Sequence, residues 1–214
     1  MKTWIKFCGT TSLEDALAAI DAGADALGFI FAPSKRRVTM EQAREIMRGI
    51  PERVDRIGVF LDESPEQIQR NLAELDLTGV QLHGNESAGD LSSRLGEERR
   101  KNLRIIKTIL VKDDFVAELK SLEAAKDTVD AWLLDSGAGS GRAFDWHTVR
   151  TQLGDRKARF IIAGGLHPEN VGEAMKVFTP WGVDAVSGVE REPGRKDPEK
   201  MRAFVAAVRK AEQL

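Results

Sequence analysis

Short apolar runs alternate with amphipathic stretches along nearly the whole chain, and this alternation constrains the fold more than any other feature. Most of the runs are rich in Ile, Val, Leu and Phe without polar alternation, which is typical of strands buried on both faces of a parallel sheet. The runs predict strands at Thr3–Phe7, Ala26–Phe31, Arg56–Leu61, Gly79–Leu82, Arg104–Ile109, Ala131–Leu134, Phe160–Ala163 and Asp184–Val186.

The segments between these runs carry apolar residues at helical spacing. The repeats are Leu13, Ala16, Leu17 and Ile20, then Ala43, Ile46 and Met47, then Ile68, Leu72 and Leu75, and finally Phe204, Val205 and Val208. Capping residues at Thr39, Ser64 and Asp197 mark the starts of three helices, because their side-chain oxygens accept hydrogen bonds from the first turn. The sixth and seventh helices are weakly marked, since the stretch 146–153 is short.

About eight strand–helix units fit into 214 residues with no long linker. A right-handed series of such units either closes into a barrel or forms an open doubly wound sheet. The number of units in a chain of this length favours closure. We therefore predict an α/β fold, a single (β/α)8 or TIM barrel, forming one domain over residues 1–214.

Composition narrows the range of partners and compartments. The formal net charge of -2 argues against a nucleic-acid partner, because such binding needs a basic face. No apolar run approaches the roughly 20 residues that span a bilayer. The single cysteine, Cys8, cannot form an internal disulfide. We therefore expect a cytoplasmic protein with neither a nucleic-acid nor a membrane partner.

Two side chains with acid–base chemistry stand at predicted strand ends, where barrels of this kind collect functional residues. Cys8 follows the first strand and Asp135 follows the sixth. Cys8 is either a small apolar core residue or a thiolate whose pKa a nearby cation lowers. Asp135 either caps the loop that follows it or presents a carboxyl group to a partner or ligand at the rim. The glycine-rich segment 136–142 suits a mobile lid or a tight turn around a ligand.

Glycines follow the last two predicted strands and expose backbone N–H groups there. Gly164 and Gly165 come after the seventh strand, and Ser187 and Gly188 come after the eighth. Such groups form an anion cradle, usually for phosphate, at this position of a barrel. The alternative is a pair of tight turns without a ligand.

Other polar residues near the rim are less specific. Arg36 lies in the basic loop after the second strand and is either a solvated charge or a forked partner for a carboxylate. Gln81 and His83 flank the end of the fourth strand, where a supporting polar role or a substrate contact is expected. No His, Cys, Asp or Glu cluster has metal-ligand spacing, and no phosphate-loop or dinucleotide motif is present, so we expect no metal and no cofactor.

Several motifs in one fixed order resemble the phosphoribosylanthranilate isomerase family over essentially the full length. The matching pieces are KFCGTT, GADALGFIF with SKRRV, GVFLD, GVQLHG, LLDSGAGSGRAFDW, AGGLHPENV and VDAVSGVEREPGRKD. The resemblance implies an isomerase of tryptophan biosynthesis. Its reaction would be the Amadori rearrangement of N-(5-phosphoribosyl)anthranilate to 1-(2-carboxyphenylamino)-1-deoxyribulose 5-phosphate. It also implies a small phosphorylated sugar–anthranilate substrate, no cofactor, and a monomer or homodimer.

The resemblance also assigns roles to matched positions. It implies that Cys8 is the general base, that Asp135 is the general acid, and that Arg36 holds the anthranilate end. The phosphate would lie on the glycine turns, and Asp184 would contact the sugar or the amine.

The sequence departs from the usual pattern of the family in four places. Phe7 and Thr10 vary the first motif, Val186 replaces one of two serines, and His167 replaces a frequent asparagine. The segment after Asp135 is short. The Val186 change puts one phosphate-site hydroxyl in doubt. The alternative functions are another phosphosugar-handling barrel, a non-catalytic phosphate-binding barrel, and a thiol redox sensor, for which a resolving cysteine is lacking.

Overall fold

In the computed structural model, eight parallel strands form a closed barrel in chain order, which confirms the predicted fold class. The structure describes residues 2–112, 115, 119, 125, 127–137 and 144–213. The strands are β1 Trp4–Cys8, β2 Ala26–Ile30, β3 Asp55–Phe60, β4 Gly79–Leu82, β5 Arg104–Leu110, β6 Ala131–Asp135, β7 Phe160–Ile162 and β8 Gly182–Ala185. All eight predicted strands are confirmed, and their ends differ from the predicted ones by at most two residues.

Helices cover the outside of the barrel. Those in the described part of the chain are α1 Leu13–Ala22, α2 Met40–Arg48, α3 Pro65–Glu74, α4 Ala88–Arg94, α5 Glu97–Asn102, α6 Trp146–Leu153, α7 Val171–Phe178 and α8 Pro198–Ala211. A short 3-10 helix, Ser187–Val189, and a small antiparallel hairpin of β9 Glu190–Glu192 and β10 Arg195–Lys196 follow β8. None of the described helices is long and apolar enough to cross a membrane.

The three predicted helix caps are confirmed. The Thr39 side chain accepts a hydrogen bond from the Gln42 backbone N–H, and the Gln42 side-chain oxygen accepts one from the Thr39 backbone N–H. The Ser64 side chain caps α3, and the Asp197 side chain caps α8. These bonds satisfy N–H groups that the first turn of a helix leaves without partners. Local sequence therefore determines where these helices begin.

The apolar face predicted for α1 is wrong in part. The structure buries Ala16 but leaves Leu13 39% and Leu17 47% exposed. Asp15 turns inward instead, and its carboxylate accepts a hydrogen bond from the Lys196 backbone N–H at 3.1 Å. The buried face of α1 is therefore formed by Asp15, Ala16 and Ala19, and it differs from the face that hydrophobic spacing alone predicts.

The period of two along each strand decides which side chains enter the barrel. On β1, Trp4, Lys6 and Cys8 are successive members of the inward-facing set. Trp4 belongs to the apolar cluster inside the barrel, together with Ala26, Ile57, Ile106, Ala131, Leu133, Ile161 and Ala163. At the amino-terminal end, the Trp4 ring stacks on Trp181 with centroids 5.1 Å apart. The barrel interior is therefore packed with apolar side chains towards the amino-terminal ends of its strands.

Candidate active site

A cavity of about 510 Å³ opens at the carboxyl ends of the strands. It brings together residues that are far apart in the chain, because parallel strands end at the same edge. Of the predicted site residues, it is lined by Cys8, Arg36, Gln81, His83, Asp135, Gly164, Gly165, Asp184 and Ser187. Gly188 does not line it. A Cβ at Gly188 would collide with the Leu166 carbonyl oxygen, so this glycine serves close packing between two loops.

Cys8 lies at the end of β1 and is buried, with its side chain directed to the cavity. Gly28 faces it on β2 and leaves room for the sulfur, because a Cβ there would lie 2.5 Å from Cys8 Sγ. Burial holds the pKa of the Cys8 thiol above its usual value, because it outweighs the ammonium groups of Lys6 and Lys196, which act to lower that pKa. The nearby cations expected for a thiolate are present, but the net lowering of the pKa that we expected from them is not found. A small apolar core residue, the first interpretation of Cys8, would be buried in the same way, but it would not need the charged side chains that surround this thiol.

Asp135 ends β6, several strands away from Cys8 around the barrel. Burial raises the pKa of its carboxyl group, although His83 and a hydrogen bond from the Gly137 backbone N–H oppose that change. The Gly137 N–H donates to Asp135 Oδ1 at 3.1 Å, so the carboxyl group also has the loop-capping role that we considered. A raised pKa suits a group that must carry a proton near neutral pH.

Two buried acceptors on the cavity wall have no hydrogen-bond partner in the described part of the chain. They are Gln81 Oε1 and Asp184 Oδ1. The other Asp184 oxygen, Oδ2, accepts a hydrogen bond from Lys6 Nζ at 2.9 Å. The Gln81 amide nitrogen lies 3.3 Å from Thr108 Oγ1. Because an unpaired buried polar atom is costly, a hydroxyl, amine or water donor placed at either oxygen would be favourable.

Arg36 forms the predicted forked pair, but with a carboxylate of the protein itself. Its Nε and Nη2 donate to the two Glu190 oxygens at 2.8 and 2.6 Å. Lys35 and Arg37 are exposed. The interpretation of this basic loop as solvated charge therefore holds for these two residues and not for Arg36. Burial acts to raise the pKa of Glu190, but Arg36 and Lys196 outweigh it and hold that pKa below its usual value.

Lys196 joins the ends of the first and last strands. Its Nζ donates to the Cys8 carbonyl at 2.6 Å, to the Val186 carbonyl at 3.3 Å and to Glu190 Oε1 at 3.2 Å. Sequence reasoning missed Lys6, Glu190 and Lys196 as parts of the site. For Lys6, the available sign was a charged residue inside an apolar run, two positions before the cysteine.

The glycine turn after β7 has the geometry of an anion cradle. Gly164 and Gly165 both have left-handed φ angles, 79° and 69°, which other residues rarely adopt. In the described residues, the backbone N–H groups of these two glycines have no protein acceptor. Ser187 begins the 3-10 helix on the adjacent wall of the same cavity. Most of the predicted lid, 138–142, lies outside the described residues. Within those residues, no three His, Cys, Asp or Glu side chains are grouped as for a metal ion.

The sequence model of one family, described as N-(5'phosphoribosyl)anthranilate (PRA) isomerase, matches residues 5–207. The chain belongs to this family. A Desulforudis audaxviator relative named N-(5'-phosphoribosyl)anthranilate isomerase is 41% identical over 98% of this chain and 99% of its own. A Listeria monocytogenes relative of the same name is 38% identical over 97% and 99%.

Solved structures of members of this family also match the fold of this chain. The Thermotoga maritima phosphoribosyl anthranilate isomerase superimposes with a TM-score of 0.84 at 37% identity, covering 97% of this chain and 99% of that one. A second family structure holds reduced 1-(o-carboxyphenylamino)-1-deoxyribulose 5-phosphate, with a TM-score of 0.81, 35% identity and the same coverage. The family prediction is confirmed, and the protein is an isomerase of tryptophan biosynthesis. The alternatives of a binding module and a redox sensor find no support in these matches.

Proposed function

We propose that this protein converts N-(5-phosphoribosyl)anthranilate to 1-(2-carboxyphenylamino)-1-deoxyribulose 5-phosphate, with Asp135 as general acid and Cys8 as general base. One observation carries the assignment: a thiol and a carboxyl group line a single cavity from separate strands, beside a glycine turn with available N–H groups. The product analogue bound by a family member has a phosphate, a sugar chain and an aromatic carboxylate. The cavity has groups suited to each of these parts.

The first step is opening of the sugar ring. Asp135 donates its proton to the ring oxygen as the C1–O bond breaks, and the amine lone pair forms a protonated imine. Burial raises the pKa of Asp135, which favours the protonated form that this step needs. General acid catalysis of this kind contributes about 10²–10⁴-fold in rate.

The second step is removal of the C2 proton by the Cys8 thiolate. The C2–H electrons form a C1=C2 double bond, and the imine electrons return to nitrogen to give an enolamine. The enol at C2 then becomes the ketone as C1 gains a proton. The base must lie within about 2.6–3.2 Å of a proton-bearing atom, or reach it through one water, and Cys8 lines the cavity that would hold the substrate.

The two ends of the substrate are held by different parts of the site. The phosphate lies on the N–H groups of Gly164 and Gly165 and against the turn formed by Ser187 and Gly188. Arg36 meets the anthranilate carboxylate through Nη1, since Glu190 occupies its other two nitrogens. Gln81, His83 and Asp184 contact the sugar hydroxyls and the amine, which supply the donors that Gln81 and Asp184 lack.

The test is turnover of the purified protein, with a chelator present, followed as loss of anthranilate fluorescence. Cys8→Ser and Asp135→Asn should each lower kcat by about 10²–10⁴-fold, with the larger loss for Asp135→Asn. Substrate affinity should change little, because neither side chain is assigned to the phosphate or the carboxylate. Asp145→Asn, in the exposed cap of α6, serves as the matched control. Turnover close to that of the parent protein in either variant removes that residue from its role.

The oligomeric state and location stay predictions. We propose a monomer or a homodimer in the cytoplasm, and one solved Thermotoga maritima structure is of monomers generated from a dimeric family member. Light scattering of the purified chain distinguishes the two states. A larger assembly would contradict the proposal.

A further inference from the structure

Lys6 is a buried charged residue that the proposed mechanism does not use. Its side chain is fully buried, on the inward face of β1 and two residues before Cys8. An unpaired ammonium at such a position costs several kcal/mol, so a lysine there needs specific compensation. Methionine or leucine would fill the space without that cost, which indicates that the charge itself has a use.

The compensation comes from two members of the proposed site. Lys6 Nζ donates to Asp184 Oδ2 at 2.9 Å, across 178 positions of chain. Cys8 is the next inward-facing residue of β1, and the proximity of its side chain favours the charged form of Lys6. Burial acts to lower the pKa of Lys6, but Asp184 and Cys8 outweigh it and hold that pKa above its usual value, so the ammonium form persists at neutral pH.

We propose that Lys6 is a positioning residue for the isomerisation, because its buried ammonium stabilises the Cys8 thiolate and holds Asp184 in place on the wall of the cavity. The proposal rests on the role of Cys8 as general base. Its geometric support is the bond from Lys6 to Asp184, the place of Lys6 and Cys8 two residues apart on the inward face of β1, and the position of Cys8 and Asp184 on one cavity wall.

The local charges favour this role over that of a simple counter-ion. Burial is the main influence that raises the pKa of Cys8, and Lys6 is the strongest opposing influence, followed by the weaker effect of Lys196. Lys196 is also engaged with the Cys8 carbonyl oxygen and with Glu190. The titratable and charged groups around the thiol are Lys6, Arg36, Asp184 and Lys196, with His83 and Asp135 elsewhere on the cavity wall.

A counter-ion that serves Asp184 alone makes a different prediction. In that case, removing Lys6 together with the Asp184 charge leaves the titration of Cys8 where it was, or moves it to lower pH. If Lys6 stabilises the thiolate, the same double change moves the titration to higher pH, because the favourable effect of Lys6 exceeds the unfavourable effect of Asp184.

The experiment uses the fact that Cys8 is the single cysteine of the chain. The ultraviolet absorbance of the thiolate is titrated between about pH 6 and pH 11, with Cys8→Ser subtracted as the blank. The variants are Lys6→Met and the double variant Lys6→Met with Asp184→Asn. The double variant removes both charges of the ion pair, so no buried charge is left without its partner. Lys2 is an exposed lysine just before β1, and Lys2→Met is the matched control.

We expect the thiol midpoint to rise by about one pH unit or more in both Lys6 variants, and not in Lys2→Met. A rise of one unit lowers the thiolate fraction at neutral pH about tenfold, and kcat should fall by at least that factor. A midpoint that is unchanged or lowered in the folded double variant overturns the proposal, even if Lys6→Met alone fails to fold. Failure of the general-base role appears separately, as normal turnover by Cys8→Ser.

Discussion

Gly28 is the position where the smallest added group should test the placement of Cys8. The two residues are partners in the β1–β2 pair, and Gly28 does not have a left-handed φ angle. A Cβ at Gly28 would lie 2.5 Å from Cys8 Sγ and 3.0 Å from both Cys8 Cα and Cβ. Ordinary contacts between such atoms begin at about 3.5 Å. Gly28→Ala therefore forces the sulfur to move by about 1 Å, and the neighbouring backbone by about half as much.

The expected effects follow from that displacement. Crowding of a packed core costs about 1–3 kcal/mol of stability. A shift of about 1 Å in a reacting group costs about 10²-fold in rate. The thiol can rotate, but Cys8 Cα cannot move without disturbing pairing on both of its neighbouring strands. We therefore expect kcat/KM of Gly28→Ala to fall about 10²-fold while the protein stays folded at room temperature.

The assay is kcat/KM from anthranilate fluorescence, paired with the thermal unfolding midpoint. Gly172→Ala in α7 is the matched control, because no atom lies within 4 Å of its added Cβ. The control should keep its activity and gain up to about 1 kcal/mol of stability, since alanine restricts the unfolded chain. Normal kcat/KM in Gly28→Ala would refute our account, because the thiol would then tolerate displacement from its position on the cavity wall.

Two further predictions concern charge. Burial raises the pKa of Asp135, so the stabilising contribution of its protonated form is present below the unfolded pKa of about 3.9 and is lost as pH rises through the folded pKa. Asp135→Asn should therefore raise the unfolding midpoint more at pH 8 than at pH 5, and equal effects in melts at about these two pH values would contradict it. Glu190→Gln weakens the two hydrogen bonds that orient the Arg36 side chain. KM should therefore rise about tenfold, with a smaller change in kcat. Initial-rate kinetics that show only a fall in kcat would count against this prediction.

Local patterns predicted the elements of the fold well. Strands buried on both faces need continuous apolar runs, so their positions are visible in the sequence, and the caps at Thr39 and Ser64 mark helix starts through bonds within one turn. The number of units then favoured closure of the barrel. The orientation of α1 was not visible, because the contact of Asp15 with the backbone of Lys196 spans 181 positions.

The sequence predicted which residues lie at the candidate site better than it predicted the hydrogen bonds and ion pairs that they form there. The end of a strand was enough to select Cys8 and Asp135, since the carboxyl ends of all strands in a barrel meet at one edge. Close packing by itself explains a glycine at position 188, and a glycine needed for packing looks the same in sequence as one needed for a ligand, so its place in the phosphate site stays a prediction.

The order of strands and helices, the edge at which functional residues collect, and the acid–base candidates Cys8 and Asp135 can all be predicted from the amino-acid sequence. The pairs of buried charges are visible only in the folded barrel: Lys6 with Asp184, and Arg36 with Glu190 across 154 positions. Apolar spacing and capping act over a few residues, so they leave a trace in the sequence. The pairing of buried charges depends on which side chains closure of the barrel brings within hydrogen-bond distance, and no local pattern encodes that.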